Sequence, residues 1–398
     1  MPIRCATSLI VEPYNENRVR AAARQLHQQL ASTITLALAF CGDSYIQAGE
    51  DFFETLRIEG HIMTLAGCSA QGIIHQEDEY QNRDGLSIMA FCMPEVQVHP
   101  ITFSQEDIEN SFTTLTWSHK ISKACKAPRF ALSLINPFVI DVEGWFQQWN
   151  QSHPTIPMAG GLASSNTTSS QVAVFLNQEI IEGGLTLLFE GPIRLETVVS
   201  QGCRPIGEPM TITQANENIL YSLGTSSAYD ILNRAFESLP DKLKSQARGN
   251  LFVGLAMDEY REEFGQGDFL IRNILAADPQ SGAVAVGARL RVGQTLQYQI
   301  RDAAAASEEF ARLLLQKSQA LKKTPPAAAL LFTCNGRGFY LFGAPGHDSL
   351  LTKEFFQDTP LAGFFCNGEI GPVHGHNYLH GYTASLALIL DDPPRKAP

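Results

Sequence analysis

The stretch PLAGFFCNGEIGPV, from Pro360 to Val373, holds an apolar strand that passes through Ala-Gly and enters a small polar turn. Two earlier stretches have the same pattern: LAGCSAQGI begins at Leu65, and MAGGLASSN begins at Met158. A strand-to-turn pattern that recurs along a chain indicates repeated structural units. We therefore expect the fold to be assembled from copies of one unit.

Each Ala-Gly stretch follows a strand and a short helix and precedes a closing strand. In the first copy these segments are Thr33 to Cys41 (strand), Ile46 to Leu56 (helix), Ile62 to Ile74 (strand and turn) and Gly85 to Cys92 (closing strand). The second copy runs from Arg129 to Glu190 and the third from Ala327 to Leu390. A clear amphipathic helix, Asn15 to Leu30, precedes the first copy. A weaker fourth copy is expected from Asn250 to Gly287.

Strand–helix–strand–turn–strand units predict the fold class. A helix covers one face of each sheet and leaves the other face apolar, so pairs of units can bury their free faces together. We expect an α/β (α+β) fold with two pseudo-related halves, in which mixed β-sheets pack face to face with helices outside. The boundary is expected within Pro192 to Pro209, which divides the chain into residues 1–200 and 201–398.

Composition narrows the possible partners. The 398 residues carry a net charge of −12 without a run of Lys or Arg, which disfavours nucleic acid and anionic membranes as partners. The longest apolar stretch near the N-terminus, Ile34 to Cys41, is far shorter than the ~20 residues that span a bilayer, and no signal peptide is evident. Eight scattered cysteines without a Cys-x-x-Cys pair indicate reduced thiols, so we expect a cytoplasmic protein.

Several segments resemble one family. CNGRG at Cys334–Gly338, PLAGFFCNGEIGPV at Pro360–Val373 and LHGYTAS at Leu379–Ser385 resemble the C-terminal FIST domain. LAGCSAQGII at Leu65–Ile74 and SQGCRPIGEP at Ser200–Pro209 resemble the N-terminal FIST domain and its end. Because these segments occur in order over nearly the whole chain, the sequence resembles a stand-alone FIST protein.

This resemblance implies a FIST N-terminal domain at residues 1–200, a FIST C-terminal domain at 201–398, and a sensory role. It implies binding of a small polar ligand such as an amino acid. The chain has no room for an output domain, so signalling would pass through a separate partner protein. The resemblance leaves two further roles open: a haem-based nitric oxide sensor, and a protein–protein adaptor without a ligand.

Polar residues at two strand ends form the candidate ligand site. If the strands before Asn335 and Asn367 are neighbours, their turns meet at one edge of a sheet. Arg337 can then clamp a ligand carboxylate and Glu369 can receive an ammonium group, or the two can form an internal salt bridge. The full predicted ligand-binding set is Asn335, Arg337, Cys366, Asn367, Glu369, His380, Cys68 and Ser69.

Other chemistries have weaker support. Cys366 or Cys334 could be a nucleophile with His380 as its base, but the sequence indicates no oxyanion site, so no catalytic residue is predicted. His374 and His376 form a His-x-His-x-x-x-His pattern with His380. Glycines interrupt that pattern and no complete ligand set is present, so no metal site is predicted.

No cofactor is predicted either, although His27, His61 and His75 are the candidate axial ligands for the haem alternative. The hydroxyl-rich segment after the second Ala-Gly is expected to be a solvated turn; its members are Ser164, Ser165, Thr167 and Thr168. The sequence does not identify the ligand, the partner or the oligomeric state.

Overall fold

The computed structural model describes residues 2–111, 114–167, 172–247 and 249–392. The chain forms two compact units. The large unit comprises Met1–Val199, Leu313–Leu379 and Thr383–Pro398, and the inserted unit comprises Ser200–Arg312 and His380–Tyr382. No helix in the described ranges is long and apolar enough to cross a membrane.

The first copy of the repeat begins the large unit. Its elements are β1 (Arg4–Ile10), α1 (Glu16–Leu30), β2 (Ile34–Cys41), α2 (Asp43–Ala48), α3 (Glu50–Gly60), β3 (Ile62–Ser69), β4 (Gly72–His75), β5 (Asp78–Gln81) and β6 (Leu86–Cys92). Asn15 caps α1 by accepting the N–H of Arg18. The buried face of α1 has the spacing that the sequence predicted and includes Val19, Ala23, Leu26 and Leu30.

The second copy repeats this order with shorter hairpin strands. Its elements are β7 (Gln97–Phe103), α4 (Gln105–Glu109), α5 (Thr114–Ala124), β8 (Phe130–Ile135), α6 (Val142–Ser152), β9 (Met158–Leu162), β10 (Val174–Leu176), β11 (Glu179–Ile181) and β12 (Gly184–Glu190). The third copy then opens with β13 (Ile193–Ser200). Its remaining elements follow the inserted unit in the chain.

The inserted unit is built on an antiparallel sheet. Its elements are β14 (Cys203–Asn216), β15 (Ile219–Leu223), β16 (Ser226–Ser227), α7 (Ala228–Glu237), α8 (Asp241–Ala247), β17 (Leu251–Ala256), β18 (Phe269–Ala277), β19 (Val284–Val286) and β20 (Thr295–Arg301). The strand order is β14-β20-β17-β18-β19-β15-β16, and β15 also pairs with β14, so the sheet closes on itself. The fourth copy expected from Asn250 to Gly287 is wrong, because β17 and β18 are adjacent antiparallel strands.

The third copy resumes after this insertion. Its elements are α9 (Ala303–Ala320), β21 (Ala328–Cys334), α10 (Phe339–Phe342), α11 (His347–Phe355), β22 (Leu361–Cys366), β23 (Glu369–Val373), β24 (His376–His380) and β25 (Ala384–Asp391). All three copies therefore consist of an outer strand, a helical segment, a strand, a second helical segment, a strand, a hairpin and a closing strand.

The large unit holds three six-stranded sheets with one common order. The first sheet is β1-β6-β2-β3-β10-β11, the second is β7-β12-β8-β9-β23-β24, and the third is β13-β25-β21-β22-β4-β5. In each sheet the two central strands, β2–β3, β8–β9 or β21–β22, are parallel. A parallel pair needs a crossover, which the helical segment between its strands supplies.

The hairpins are exchanged between copies. Hairpin β4–β5 of the first copy extends the third sheet, β10–β11 of the second copy extends the first sheet, and β23–β24 of the third copy extends the second sheet. Each copy therefore donates one hairpin and receives another. The three exchanges form a closed ring, so no copy has a complete sheet without its neighbour.

The predicted fold class of mixed sheets with helices outside is confirmed. The free faces of three sheets, not two, share one apolar core, and Ala66, Ala159 and Ala362 occupy it. Helices cover the outer faces: residues of α1 and α3 pack on the first sheet, and residues of α5 and α6 pack on the second. The alanine of each Ala-Gly pair therefore lies where the sheets meet.

The glycine of each Ala-Gly pair is required by the close approach of the neighbouring strand. Gly67, Gly160 and Gly363 lie opposite Ala39, Ser133 and Leu331 in the three parallel strand pairs. A Cβ atom on these glycines would approach the carbonyl oxygen of the opposite residue to 2.0, 1.9 and 1.9 Å, respectively. No side chain fits at such a distance from backbone.

Replacing Gly363 with alanine is expected to destabilise the protein by at least ~2 kcal/mol, because the new methyl group must displace the β21 backbone. Chemical denaturation measures this change. Gly265→Ala is the matched control, since its Cβ would meet nothing closer than 3.7 Å. Equal stability of the two variants would contradict the steric explanation of the repeat.

Candidate functional site

The turns after the three Ala-Gly pairs meet in the large unit, and Ser164 joins them. Its hydroxyl donates to the carbonyl of Phe365 at 2.6 Å and accepts the N–H of Gln71 at 2.8 Å. Its own N–H donates to the carbonyl of Ser69 at 3.2 Å. Ser164 is fully buried. The expectation of a solvated turn is therefore wrong at this residue.

The neighbouring hydroxyls also have protein partners. Ser165 and Thr167 donate to one carboxylate oxygen of Asp43, at 2.9 and 2.7 Å. Thr168 lies outside the described residues. The segment therefore links the second copy to the first, because Asp43 begins α2.

The predicted polar cluster is partly assembled. The strands before Asn335 and Asn367 are parallel neighbours, as the prediction supposed. The Asn335 side-chain amide donates to the Asn367 side-chain oxygen at 2.8 Å, and the Asn335 N–H donates to the carbonyl of Cys366 at 3.0 Å. The Asn367 amide donates onward to the carbonyl of Ala163 at 2.8 Å. These amides therefore tie adjacent turns together.

Four other members of the predicted set are buried. Cys68, Ser69, Cys366 and Glu369 are all 0% exposed. Glu369 accepts the N–H of Thr383 at 3.0 Å. Burial raises the pKa of both the Cys68 and the Cys366 thiols, which keeps them protonated and gives a nucleophilic role no support.

Arg337 is held by Asp348. Its guanidinium donates two hydrogen bonds to the Asp348 carboxylate, at 2.7 and 2.8 Å, and both side chains are 0% exposed. Thr333 adds a hydrogen bond to the same carboxylate at 3.0 Å. Burial by itself would raise the pKa of Asp348, but the Arg337 charge and hydrogen bonds hold it well below its usual range. The clamp predicted for a ligand carboxylate is thus filled by Asp348.

The predicted histidines lie apart. His380 ends β24, is grouped with the inserted unit, and is buried. His374 and His376 are exposed. The rings of His27 and His61, candidates for the haem alternative, stack on each other with centroids 4.3 Å apart, which fills the space between them. The third candidate, His75, is partly buried on β4, and burial lowers its pKa.

A cavity of about 480 Å³ lies beside the Arg337–Asp348 pair, between the exchanged hairpin β4–β5 and the segment that contains α10 and α11. Its lining residues are Glu77, Asp78, Glu79, Tyr80, Gln81, Arg83, Phe339, Pro345, Gly346 and Leu350. This volume suits a small molecule. No sequence pattern indicated this cavity, because its two sides are about 260 residues apart and meet only through the hairpin exchange.

Glu79 is the most buried acidic residue of the lining, with 6% exposure. Its carboxylate accepts the N–H of Ser349 at 2.9 Å and that of Gly346 at 3.2 Å, at the start of α11. Burial, followed by the nearby charge of Asp348, raises the pKa of Glu79 to about 7. A buried carboxyl group that titrates near neutrality beside a cavity is typical of functional sites.

The Cys334–Gly338 segment is hydrogen-bonded to Gln81, which lines this cavity. The Gln81 amide donates to the carbonyls of Asn335 and Arg337, at 3.3 and 3.1 Å, and its oxygen accepts the N–H of Phe339 at 2.7 Å. Asn335 and Arg337 are therefore linked to the cavity lining only through the hydrogen bonds of their carbonyls with Gln81. Their side chains point to structural partners, Asn367 and Asp348.

Comparison with protein families agrees with this architecture. The model of the FIST N domain matches residues 35–226, and the model of the FIST C domain matches residues 228–372. The chain belongs to the FIST family. FIST domains are recognised as sensory domains. The division at residues 200 and 201 stays a prediction.

Relatives of this FIST protein occur in mycobacteria. An uncharacterized protein of Mycobacterium tuberculosis is 34% identical over 372 residues, which cover 93% of this chain and 95% of the relative. One of Mycobacterium bovis is 33% identical over 328 residues, or 82% and 83% of the two chains. F-box only protein 22 of Homo sapiens is 36% identical over 75 residues, only 15% of this chain and 19% of that protein.

Among solved structures, a cyanuric acid hydrolase from A. caulinodans aligns over 98% of this FIST chain and 99% of its own, with 7% identity and a TM-score of 0.35. A chorismatase aligns over the same shares with 7% identity and a TM-score of 0.32. At these values the similarity says nothing about the activity of the FIST protein.

Glu79→Gln is expected to flatten the pH dependence of stability. Below the ordinary pKa of 4.5, Glu79 is protonated in both states. Between pH 4.5 and about pH 7, Glu79 is largely ionised in the unfolded chain but still protonated in the folded protein. The free energy of unfolding therefore falls as pH rises through this range.

We therefore expect the wild type to lose about 1–3 kcal/mol more than Glu79→Gln between about pH 5 and about pH 8. Urea unfolding of both proteins at each pH measures the difference. Parallel pH profiles would contradict the buried, protonated state of Glu79.

Proposed function

We propose that this FIST protein is a cytoplasmic sensory protein that binds a small, amino-acid-like ligand in the cavity beside β5. The occupancy of the cavity would be passed to a separate partner protein. The observation that carries the proposal is the 480 Å³ cavity with Glu79 buried in its wall. The family's sensory role supports the same function.

The lining has the charges that an amino acid needs. Glu77 and Asp78 are exposed acidic residues of the lining, and with Glu79 they favour an ammonium group. Arg83 is the cationic residue among the lining side chains and supplies a planar partner for a carboxylate. Phe339 offers apolar surface for a side chain of the ligand.

Glu79 connects ligand binding to the protein backbone. An ammonium group near Glu79 favours its ionised form, so binding lowers the raised pKa and releases a proton. The same carboxylate accepts two N–H groups at the start of α11. Ligand binding would therefore change the charge beside the N-terminus of α11. Leu350 of the same helix is exposed at the rim of the cavity.

Exposed apolar side chains at the rim support the partner half of the proposal. Phe339, Tyr340 and Leu350 are 56%, 62% and 52% exposed. Large apolar side chains clustered on a surface typically mark a protein contact. A protein partner that covers this rim would sense the state of the cavity directly.

Calorimetry with a panel of free amino acids tests the site. Arg83→Ala is expected to weaken the best ligand by at least about tenfold, because it removes a charge-assisted hydrogen bond. The loss should vanish for the methyl ester of that amino acid, which has no carboxylate. Wild-type affinity should rise between about pH 5.5 and about pH 7.5 as Glu79 ionises.

Arg24→Ala is the matched control, because Arg24 is an exposed arginine that pairs with Glu59 outside the cavity. Its affinity should equal that of the wild type. Amino-acid binding that Arg83→Ala and Glu79→Gln both leave unchanged in folded protein would overturn the proposed site.

A protein–protein adaptor without a ligand is the second candidate, favoured by the same exposed rim. An adaptor would bind its partner equally well whatever the ligand concentration, and Tyr340→Ser would weaken that contact. Partner capture that depends on the ligand, together with calorimetric binding, would exclude the adaptor role.

A further inference from the structure

Three side chains with different donor atoms meet at the edge of the second sheet, outside the cavity. His99 lies on the edge strand β7, Glu190 ends β12, and Cys125 follows α5. The ring nitrogen of His99, the sulfur of Cys125 and a carboxylate oxygen of Glu190 all lie within 4.8 Å of one another. Their positions in the chain, 99, 125 and 190, follow no metal-binding motif, so the sequence did not indicate them.

The local fold places these groups together. Because β7 and β12 are antiparallel, with Leu188 opposite His99, Glu190 lies two positions along the neighbouring strand, on the same face as His99. Cys125 is fixed by its own N–H, which donates to the carbonyl of Ile121 in the last turn of α5 at 2.8 Å. Strand pairing and the helix end thus orient the three donors independently of any metal.

The distances match those around a tetrahedral metal. His99 Nε2 lies 3.5 Å from Glu190 Oε2, and Cys125 Sγ lies 3.3 Å from the same oxygen. Zinc–ligand bonds of about 2.0–2.3 Å at tetrahedral angles place neighbouring donors about 3.3–3.7 Å apart. Both measured separations therefore agree with edges of a zinc coordination tetrahedron.

A purely hydrogen-bonded cluster explains only part of this arrangement. Glu190 Oε2 accepts one hydrogen bond from the Lys126 N–H at 3.2 Å and another from the Cys125 thiol at 3.3 Å. The Nε2 atom of His99, however, is buried and makes no hydrogen bond within the described parts of the chain. Its contact with Glu190 at 3.5 Å is too long for a good N–H···O bond.

We propose that His99, Cys125 and Glu190 form a Zn²⁺ site. Nitrogen, sulfur and oxygen donors together suit zinc, whereas Ca²⁺ and Mg²⁺ prefer oxygen ligands alone. Three protein ligands leave one coordination position for water or another small ligand. The bound metal joins the C-terminal end of α5 to the edge of the second sheet. This proposal does not depend on the amino-acid site.

Titration of chelator-stripped protein with zinc chloride, against a chromophoric chelator, measures affinity and stoichiometry. We expect one Zn²⁺ per chain, and a loss of affinity of more than about tenfold in each of His99→Gln, Cys125→Ser and Glu190→Gln. Cobalt substitution adds a direct readout: a sulfur-to-cobalt charge-transfer band in the wild type that Cys125→Ser abolishes.

His119→Gln and Cys5→Ser are the matched controls, because His119 is exposed and Cys5 is partly exposed, and neither belongs to the cluster. Both should keep the wild-type affinity. Circular dichroism confirms the fold of each variant. If Cys125→Ser does not fold, His99→Gln decides, since its side chain is 25% exposed. Zinc binding that is absent, or unchanged in the folded ligand variants, would overturn the site.

Discussion

The large unit depends on one steric constraint, the close approach of a carbonyl oxygen to a glycine in each parallel strand pair. At Gly67, Gly160 and Gly363 the neighbouring backbone oxygen lies where a Cβ atom would be. Each of these glycines follows an alanine that is buried in the core shared by the three sheets. The close approach explains why a glycine recurs at corresponding positions of the three copies.

The local part of this architecture could be predicted from the sequence. Apolar periodicity and the Ala-Gly pairs identified the three copies and α1, because these signals depend on near neighbours. The hairpin exchange could not be predicted, since an edge strand pairs equally well with any open sheet edge. The segment from Asn250 to Gly287 misled for a different reason: its strands resemble those of a copy, but residues 257–268, all described in the structure, form no crossover helix between β17 and β18.

The candidate site could also be predicted only in part from the sequence. The neighbouring positions of Asn335 and Asn367 could be predicted, because each residue follows one of the two parallel central strands of the third copy. The partner of Arg337 was not, since an arginine after a strand can reach any acidic side chain that the fold brings near it. Glu79 approaches α11 only because the first copy donates its hairpin to the third sheet. The cavity is therefore a product of the exchange.

Native-state amide hydrogen exchange of β4–β5 tests most directly whether this hairpin belongs to the third sheet. The hairpin pairs with β22 at Gly363 and Phe364, so its inward-facing amides should open only with that sheet. We predict protection of the β4 amides that is comparable with that of β21 and β22. Rapid exchange of β4 while β21 and β22 stay protected would contradict the account, because the hairpin would then not be part of the third sheet.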